Sequence, residues 1–152
     1  MLQHPREAEA CGVGIAERVR SLAPTVVLSP ALGGIVIGHE VARALGVRAI
    51  FAERQDGTLT LRRGFSLAAG DRVLVVEDVV TTGGSTRETI DVARAQGASV
   101  VGAAAIIDRS GGSQNLDVPF HALATVSLPT YQPDACPLCA RGEPVVKPGS
   151  RA

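Results

Sequence analysis

Two acidic residues and a short loop rich in glycine and hydroxyl groups stand together near the middle of the chain. Residues 73–85 read VLVVEDVVTTGGS, so Glu77 and Asp78 follow an apolar run and the loop leads into a predicted helix. Such a turn directs free backbone N–H groups at one point, where the helix dipole favours an anion. Glycines allow close approach of a ligand, and hydroxyls add donors. The loop is therefore predicted to bind phosphate through Thr81, Thr82, Gly83, Gly84 and Ser85.

The two acids separate this loop from other phosphate-binding motifs. The segment lacks the lysine of a GxxxxGK[ST] loop, and it has no GxGxxG pattern. Carboxylates aimed at a phosphate would repel it, but Glu77 and Asp78 can accept hydrogen bonds from sugar hydroxyls or hold a hydrated Mg²⁺. An ordinary strand-to-helix turn with solvated acids is the simpler alternative, which the order of these thirteen residues disfavours.

In these residues the chain resembles the type I phosphoribosyltransferases, whose signature is an apolar strand, two acids, two variable residues and a loop containing Thr and Gly. The resemblance implies that Glu77 and Asp78 bind the ribose 2′- and 3′-hydroxyls of phosphoribosyl pyrophosphate. It also implies that residues 81–85 bind the 5′-phosphate, and that Mg²⁺ arrives with the substrate near Asp78 without a direct protein ligand. The motif does not name the base.

A second segment points to the base. Arg109, followed by Ser-Gly-Gly, ends the next predicted strand at the same edge of the sheet. An arginine there could cap backbone carbonyls, or its planar guanidinium could hold a carboxylate or a pyrimidine edge with two hydrogen bonds. The segment is similar to the base-binding segment of the orotate-specific branch of the family. This similarity implies that Arg109 and Thr81 contact orotate.

Two further segments extend the resemblance over nearly the whole chain. The turn SPALGG at residues 29–34 is similar to the pyrophosphate loop of the orotate-specific branch, which adds Ala31, Gly33 and Gly34 to the expected substrate contacts. The tail, with CPLC at 136–139 and KPGSR at 147–151, looks like the C-terminus of one bacterial part of that branch. A CxxC pair could be half of a zinc site, although a reduced turn motif is the simpler interpretation.

The implied reaction transfers phosphoribosyl to N1 of orotate and releases pyrophosphate, giving orotidine monophosphate. Many members neutralise the leaving group with lysines on a mobile loop, whereas this chain has fourteen arginines and one lysine, Lys147. The cations of the equivalent region are Arg54, Arg62 and Arg63, which with Asp78 are the candidate catalytic residues. The alternative is that Arg62 and Arg63 are solvated hairpin residues.

A second departure concerns the start of the chain. Members of the branch usually carry several dozen residues before the helix that we predict at 5–22, and these help to build a hood over orotate. Either the true start of the protein lies upstream, the sequence is a fragment, or the base pocket is incomplete. We expect a reduced hood and weak binding of orotate by this chain. The alternative functions are a purine phosphoribosyltransferase and a non-catalytic protein that binds phosphoribosyl pyrophosphate. The shared-loop architecture of the family also implies a homodimer.

Strands alternating with helices predict an α/β fold with a central, mostly parallel sheet flanked by helices. We expect a phosphoribosyltransferase core at 1–128 and a tail at 129–152 that contributes to the hood. The predicted helices are 5–22, 35–45 and 84–96, and the predicted strands are 25–28, 47–52, 72–77, 100–108 and 120–128, with a hairpin strand within 58–65.

The composition is that of an ordinary globular domain, with 45% apolar and 20% charged residues. Fifteen basic and fifteen acidic residues cancel, so no global field favours nucleic acid or a membrane surface. No apolar run approaches the ~20 residues of a membrane span, and the first residues lack the pattern of a signal peptide. Three cysteines are too few for a secreted disulfide framework. We expect a cytoplasmic protein.

Overall fold

The computed structural model describes residues 1–129 and 131–144, and its centre is a six-stranded sheet in the order β3-β2-β1-β4-β5-β6. The pairing of β2 with β3 is antiparallel, and the other four pairings are parallel. The strands are β1 (Val26–Pro30), β2 (Arg48–Gln55), β3 (Thr58–Leu61), β4 (Arg72–Val80), β5 (Ser99–Asp108) and β6 (Phe120–Thr125). The helices are α1 (Pro5–Val19), α2 (Gly33–Leu45), α3 (Gly84–Ala95) and α4 (Pro137–Ala140), with 3-10 turns at Arg20–Leu22 and Pro133–Ala135.

The central strands β1 and β4 carry apolar runs, at residues 26–28 and 73–76, that are buried because helices cover both faces of the sheet. Val26, Leu28, Val73 and Val75 pack with Ile90 and Ala93 of α3 in one cluster. The intervening strand residues pack on the other face with α1 and α2, in a cluster that includes Val27, Leu74, Val76, Ile15, Val19, Ile37 and Val41. Alternate residues of a strand point to opposite faces, so one short strand contributes to both clusters.

The strand order reverses direction at the centre of the sheet. The chain adds β2 and β3 on one side of β1 and then returns to place β4 on the other side. Ligands of open α/β sheets bind beyond the carboxyl ends of the strands at such a switch point. The loops that follow β1 and β4, at residues 31–32 and 81–83, therefore flank the predicted binding crevice.

The predicted α/β fold and its elements are confirmed, with differences of more than one residue at four strand ends. β1 continues to Pro30, so Ser29 and Pro30 belong to the strand and not to the predicted turn. β4 continues to Val80, so Glu77 and Asp78 lie within the strand and not at its end; the register with β5 is kept as far as Val80 opposite Asp108. β2 continues to Gln55 because the hairpin with β3 pairs its last four residues. β6 ends at Thr125, three residues before the predicted end.

Within the described part of the tail, residues 129 and 131–144, the regular elements are short. Residues 137–140 form one short helix, α4, after a 3-10 turn. The predicted segment at 147–151 lies outside the described residues. Among the residues that the structure describes, no helix combines the length and the apolar character needed to cross a membrane.

Helices α1 and α2 approach each other most closely at Gly12. A Cβ added to Gly12 would lie 2.6 Å from Cβ of Glu40 and 2.7 Å from its carbonyl carbon, so the contact is helix against helix backbone. The close approach at Gly12 continues along α1, because Ile15 and Val19 lie on the same face over the next two turns and are fully buried. A Cβ added to Gly14, by contrast, would meet the methyl end of Leu123 at 3.2 Å, and a side-chain end can move.

The Gly12→Ala variant is therefore expected to lose roughly 1–3 kcal/mol of unfolding free energy, the usual cost of overpacking. Alanine is favoured over glycine within a helix by about 1 kcal/mol, so a loss would have to come from the contact itself. Urea unfolding measures the difference, and Gly14→Ala on the same helix is the control, expected to be neutral or stabilising. Equal stability of the two variants would contradict the close helix packing.

Candidate active site

The loop between β4 and α3 forms the predicted phosphate cradle. Gly83 is the N-cap residue of α3 with a left-handed backbone (φ 76°), which glycine adopts without strain. No side chain caps the start of α3, so the N–H groups of its first turn point outward. They line a cavity of about 250 Å³ together with Glu77 and the loop residues 79–83. An anion in this cavity would accept hydrogen bonds from the backbone and meet the positive end of the helix dipole.

The two acids lie next to the cradle and next to the turn that begins α2. A Cβ added to Gly33 would lie 2.6 Å from Oδ2 of Asp78, and one added to Gly34 would lie 3.1 Å from Oε2 of Glu77. The predicted pyrophosphate turn and the predicted ribose acids are thus in contact across the switch point. Ala31 fixes the turn to β2, because its N–H donates to the carbonyl of Ala52 at 2.7 Å.

The environment of Glu77 favours its neutral form. Burial raises the pKa of this carboxyl from 4.5 to about 8, and the neighbouring charge of Asp78 adds to the increase. Asp78 instead accepts the N–H of Val79 at 2.8 Å. In the free protein Glu77 is therefore largely uncharged at neutral pH.

The predicted base segment follows β5 at the same edge. The N–H of Arg109 donates to the carbonyl of Val80 at 2.7 Å, which places the start of this segment beside the cradle, and the side chain of Arg109 is exposed. Ser110 organises the rest: its hydroxyl donates to Asp108 at 2.6 Å, contacts Gln114, and accepts the N–H of Gly112 at 3.0 Å. The segment is a hydrogen-bonded turn and not an open loop.

The three predicted pyrophosphate arginines form ion pairs beside the crevice. Glu53 binds Arg62 at 3.5 Å and Arg63 at 3.0 Å, and it directly follows the residue that anchors the 31–34 turn. Arg54 binds Glu88 on α3 at 2.9 Å, one helical turn from the cradle. In this arrangement none of these contacts is made to the cradle itself; the arginines are held at the periphery of the site by two carboxylates.

Sequence reasoning missed three residues that hold the site together. Glu53 forms ion pairs with Arg62 and Arg63, and Ser110 holds the base segment through its hydrogen bonds. Arg87 donates hydrogen bonds both to the cradle and to the base segment. Arg87 carried a detectable signal, because a cation in the first turn of a helix opposes the dipole and needs local acceptors. Ser110 and Glu53 carried none, since their partners lie on segments whose approach depends on tertiary structure.

Sequence and structure comparisons identify known proteins that are similar to this chain. A family model for the phosphoribosyl transferase domain matches residues 1–126. The chain is 52% identical over 151 residues to orotate phosphoribosyltransferases of Desulforamulus reducens and Pelotomaculum thermopropionicum, covering 99% of this chain and 79% and 80% of those relatives.

Solved structures share the fold. A phosphoribosyltransferase from Corynebacterium diphtheriae superimposes with a TM-score of 0.71 at 27% identity, over 82% of this chain and 77% of that one. The orotate phosphoribosyltransferase of Mycobacterium tuberculosis, in complex with 5-phospho-α-D-ribosyl 1-diphosphate, gives a TM-score of 0.71 at 24% identity, over 82% and 76%. With its cradle, acid pair and switch-point turn in one crevice, the chain belongs to the phosphoribosyl transferase domain family.

Proposed function

We propose that the chain transfers phosphoribosyl from phosphoribosyl pyrophosphate to N1 of orotate, forming orotidine monophosphate and pyrophosphate in the cytoplasmic synthesis of pyrimidine nucleotides. The observation that carries the proposal is the meeting of Asp78 and Glu77 with the Gly33–Gly34 turn beside the cradle. The substrate has its groups in the same order: the 5′-phosphate matches the cradle, the ribose hydroxyls match the two acids, and the pyrophosphate matches the Gly33–Gly34 turn.

The cradle and the acids bind the phosphoribosyl group. Backbone N–H groups at the start of α3 and the hydroxyls of Thr81, Thr82 and Ser85 donate to the 5′-phosphate. Glu77 and Asp78 accept hydrogen bonds from the ribose hydroxyls, which places the anomeric carbon between the cradle and the 31–34 turn. Backbone N–H groups of Gly33 and Gly34 then face the pyrophosphate, and Ala31 holds this turn in place through its bond to the carbonyl of Ala52.

Breaking the bond from the anomeric carbon to pyrophosphate leaves positive charge on the sugar and negative charge on the leaving group. Catalysis of this step requires preorganised charge on both sides. We assign the sugar side to Asp78 and the leaving-group side to Arg54, Arg62 and Arg63, which are held beside the crevice by Glu53 and Glu88. Mg²⁺ is a hard cation that prefers oxygen ligands; pyrophosphate and water would supply its direct ligands near Asp78, and the ion would add charge neutralisation.

The ion pair of Arg54 can open at little cost, because Arg54 and Glu88 are 43% and 47% exposed and an exposed pair contributes about 0–1 kcal/mol. Arg62 and Arg63 are 49% and 62% exposed, but their partner Glu53 is 17% exposed, so opening both of these pairs would leave a largely buried carboxylate unpaired. A pyrophosphate carries more charge than Glu53 or Glu88 and offers several acceptors to a planar guanidinium. We infer that the hairpin arginines exchange a carboxylate for pyrophosphate when the substrate binds.

Arg109 supplies the recognition of the base. Its backbone is fixed to β4 through the carbonyl of Val80, while its side chain is exposed at the edge where an acceptor base would lie. A guanidinium can hold the orotate carboxylate with two parallel hydrogen bonds, which a purine lacking a carboxylate does not offer. Thr81, at the other side of this edge, is the second expected contact.

Crossed kinetics test both halves of the assignment. Arg109→Ala removes a charge-assisted contact of roughly 1.5–3 kcal/mol, so the KM for orotate should rise about tenfold or more while the KM for phosphoribosyl pyrophosphate changes little. The double variant Arg62→Ala/Arg63→Ala should do the reverse, and Arg54→Ala should resemble the double variant. Each variant is the control for the other.

The same assay discriminates the functions. Wild-type protein with Mg²⁺ and phosphoribosyl pyrophosphate is offered orotate, adenine, hypoxanthine or guanine, and we expect product with orotate alone. Product from a purine and none from orotate would contradict the proposal, and so would tight binding of phosphoribosyl pyrophosphate without turnover of any base.

The raised pKa of Glu77 predicts proton release on binding. Its carboxyl is protonated in the free protein below a pKa of about 8, and it must ionise to accept two ribose hydroxyls beside Mg²⁺. Binding of phosphoribosyl pyrophosphate should therefore release a proton at pH 7, and affinity should rise with pH by up to about tenfold per unit until pH 8. Calorimetry in buffers of different ionisation enthalpy measures the proton. Glu77→Gln should abolish its release, and an unchanged release in that variant would exclude Glu77 as the source.

We also propose that two copies of the chain form a homodimer through the outer face of α2. Leu32 is 83% exposed and Val36, one helical turn further, is 42% exposed. They adjoin a cavity lined by Ile35, His39 and Phe65. An apolar surface of this kind, contiguous with a functional turn, is typical of an interface.

Sedimentation equilibrium tests this interface. The wild-type chain should sediment at twice the 15.6 kDa of one chain, and Val36→Asp should shift the equilibrium to monomer. Val13→Asp on α1 is a matched control, because Val13 is also 42% exposed and lies on another helix. A monomeric wild type, or equal dissociation of both variants, would contradict the proposed interface.

A further inference from the structure

Arg87, in the first turn of α3, joins two segments that are separate in sequence. Its Nη2 donates to the carbonyl of Thr82 in the cradle at 2.9 Å, and its Nη1 donates to the carbonyl of Asn115 at 3.2 Å. One planar group thus bridges the loop after β4 and the segment after β5. Because both acceptors are backbone carbonyls, the bridge constrains the path of both chains and not only the orientation of side chains.

The position of Arg87 is electrostatically unfavourable for a helix. Cations are disfavoured at the positive end of the helix dipole, and this turn carries no acidic residue to compensate. The two hydrogen bonds from the charged guanidinium offset that cost, because such bonds are about twice as strong as neutral ones. The guanidinium is committed to carbonyl groups, so its contribution to the site is through the loops that it holds.

Packing supports the same connection independently of these hydrogen bonds. A Cβ added to Gly83 would lie 3.1 Å from Nη1 of Arg87, 3.1 Å from a methyl of Leu116 and 3.5 Å from Cβ of Gln114. The end of the base segment therefore lies directly against the cradle glycine, and Leu116 is buried in the core at 4% exposure. The cradle and the base segment share a wall.

The base segment transmits this constraint because it is internally bonded. Ser110 contacts Gln114, accepts from Gly112 and donates to Asp108, the last residue of β5. At the far end of the base segment, the carbonyl of Asn115 accepts the hydrogen bond from Arg87. Arg109 lies between the two anchored ends, at Asp108 and Asn115, so a shift of the cradle loop reaches the side chain that faces the base.

We propose that Arg87 is a positioning residue that couples the two halves of the site, so that filling the phosphate cradle orders the base segment and strengthens binding of the base. The inference rests on the proposed function, and it goes beyond it by giving the phosphate loop control over the base pocket. By linkage the effect is reciprocal: a bound base strengthens binding in the cradle by the same factor.

Calorimetry measures the coupling directly. In the wild type, saturating ribose 5-phosphate should lower the Kd of orotate by about fivefold or more, the lower end of typical coupling between sites. Arg87→Ala should bring that factor to about one, while ribose 5-phosphate alone binds within about twofold of wild type, because the phosphate is held by backbone N–H groups. Arg87→Lys, which keeps the charge but not the planar fork, should give an intermediate factor.

Arg94→Ala is the control variant. Arg94 is exposed on the same helix, about 10 Å further along its axis, and the substitution should leave the coupling factor unchanged. A wild-type factor that persists in Arg87→Ala would overturn the proposal. A uniform loss of affinity for both ligands with the factor retained would also overturn it, because that pattern belongs to a general structural role.

Hydrogen exchange separates this proposal from the proposed function, because it needs no base. Ribose 5-phosphate should slow amide exchange at residues 81–85 and at 110–115 in the wild type, but only at 81–85 in Arg87→Ala. Equal slowing at 110–115 in both proteins would overturn the coupling. If orotate does not bind at all, the proposed function fails while this readout still decides the role of Arg87. Without any ligand, exchange at 110–115 should be faster in Arg87→Ala, and unchanged exchange would overturn the proposal.

Discussion

The site depends on the missing side chains of two consecutive glycines. Gly33 and Gly34 let the turn before α2 lie against the carboxylates of Glu77 and Asp78, where any Cβ at Gly33 would occupy the space of an Asp78 oxygen. This contact joins the two strands at the switch point and brings the pyrophosphate turn within reach of the sugar. It also desolvates Glu77, whose raised pKa is a consequence of the same close packing.

A protein without net charge can still build a site for a highly charged substrate if its charges are paired locally. The fifteen acids and fifteen bases cancel overall, yet three arginines stand beside the crevice, paired with the two carboxylates of Glu53 and Glu88. The pair of Arg54 with Glu88 is exposed on both sides and costs little to break. Because these arginines are paired in the free protein, they are present beside the site without forming a positive patch that would attract unrelated anions.

The sequence predicted the repeating parts of the structure well, because burial imposes regular patterns on them. The buried residues of the predicted helix at 84–96, Thr86, Thr89, Ile90 and Ala93, recur at helical spacing along the sequence. Strand ends were less predictable: polar residues normally signal an end, but β5 continued alongside Glu77 and Asp78 and kept them paired. The placements of Glu53 and Arg87 depend on loops that approach in space, and spacing along the chain carries no information about that. The roles of the loop arginines and of Arg109 stay predictions.

The extension of β4 through the acids has a consequence for how the molecule can move. Carboxylates that belong to a paired strand share the rigidity of the sheet, and they cannot swing as loop residues do. Gly83 of the cradle, Arg62, Arg63 and the turn after β5 lie on connecting segments, where local motion costs less free energy, whereas Arg54 lies in β2. The acids proposed to bind the ribose are thus held in the sheet. Most of the groups proposed to bind the phosphate, the pyrophosphate and the base lie on segments that can move toward the ligand.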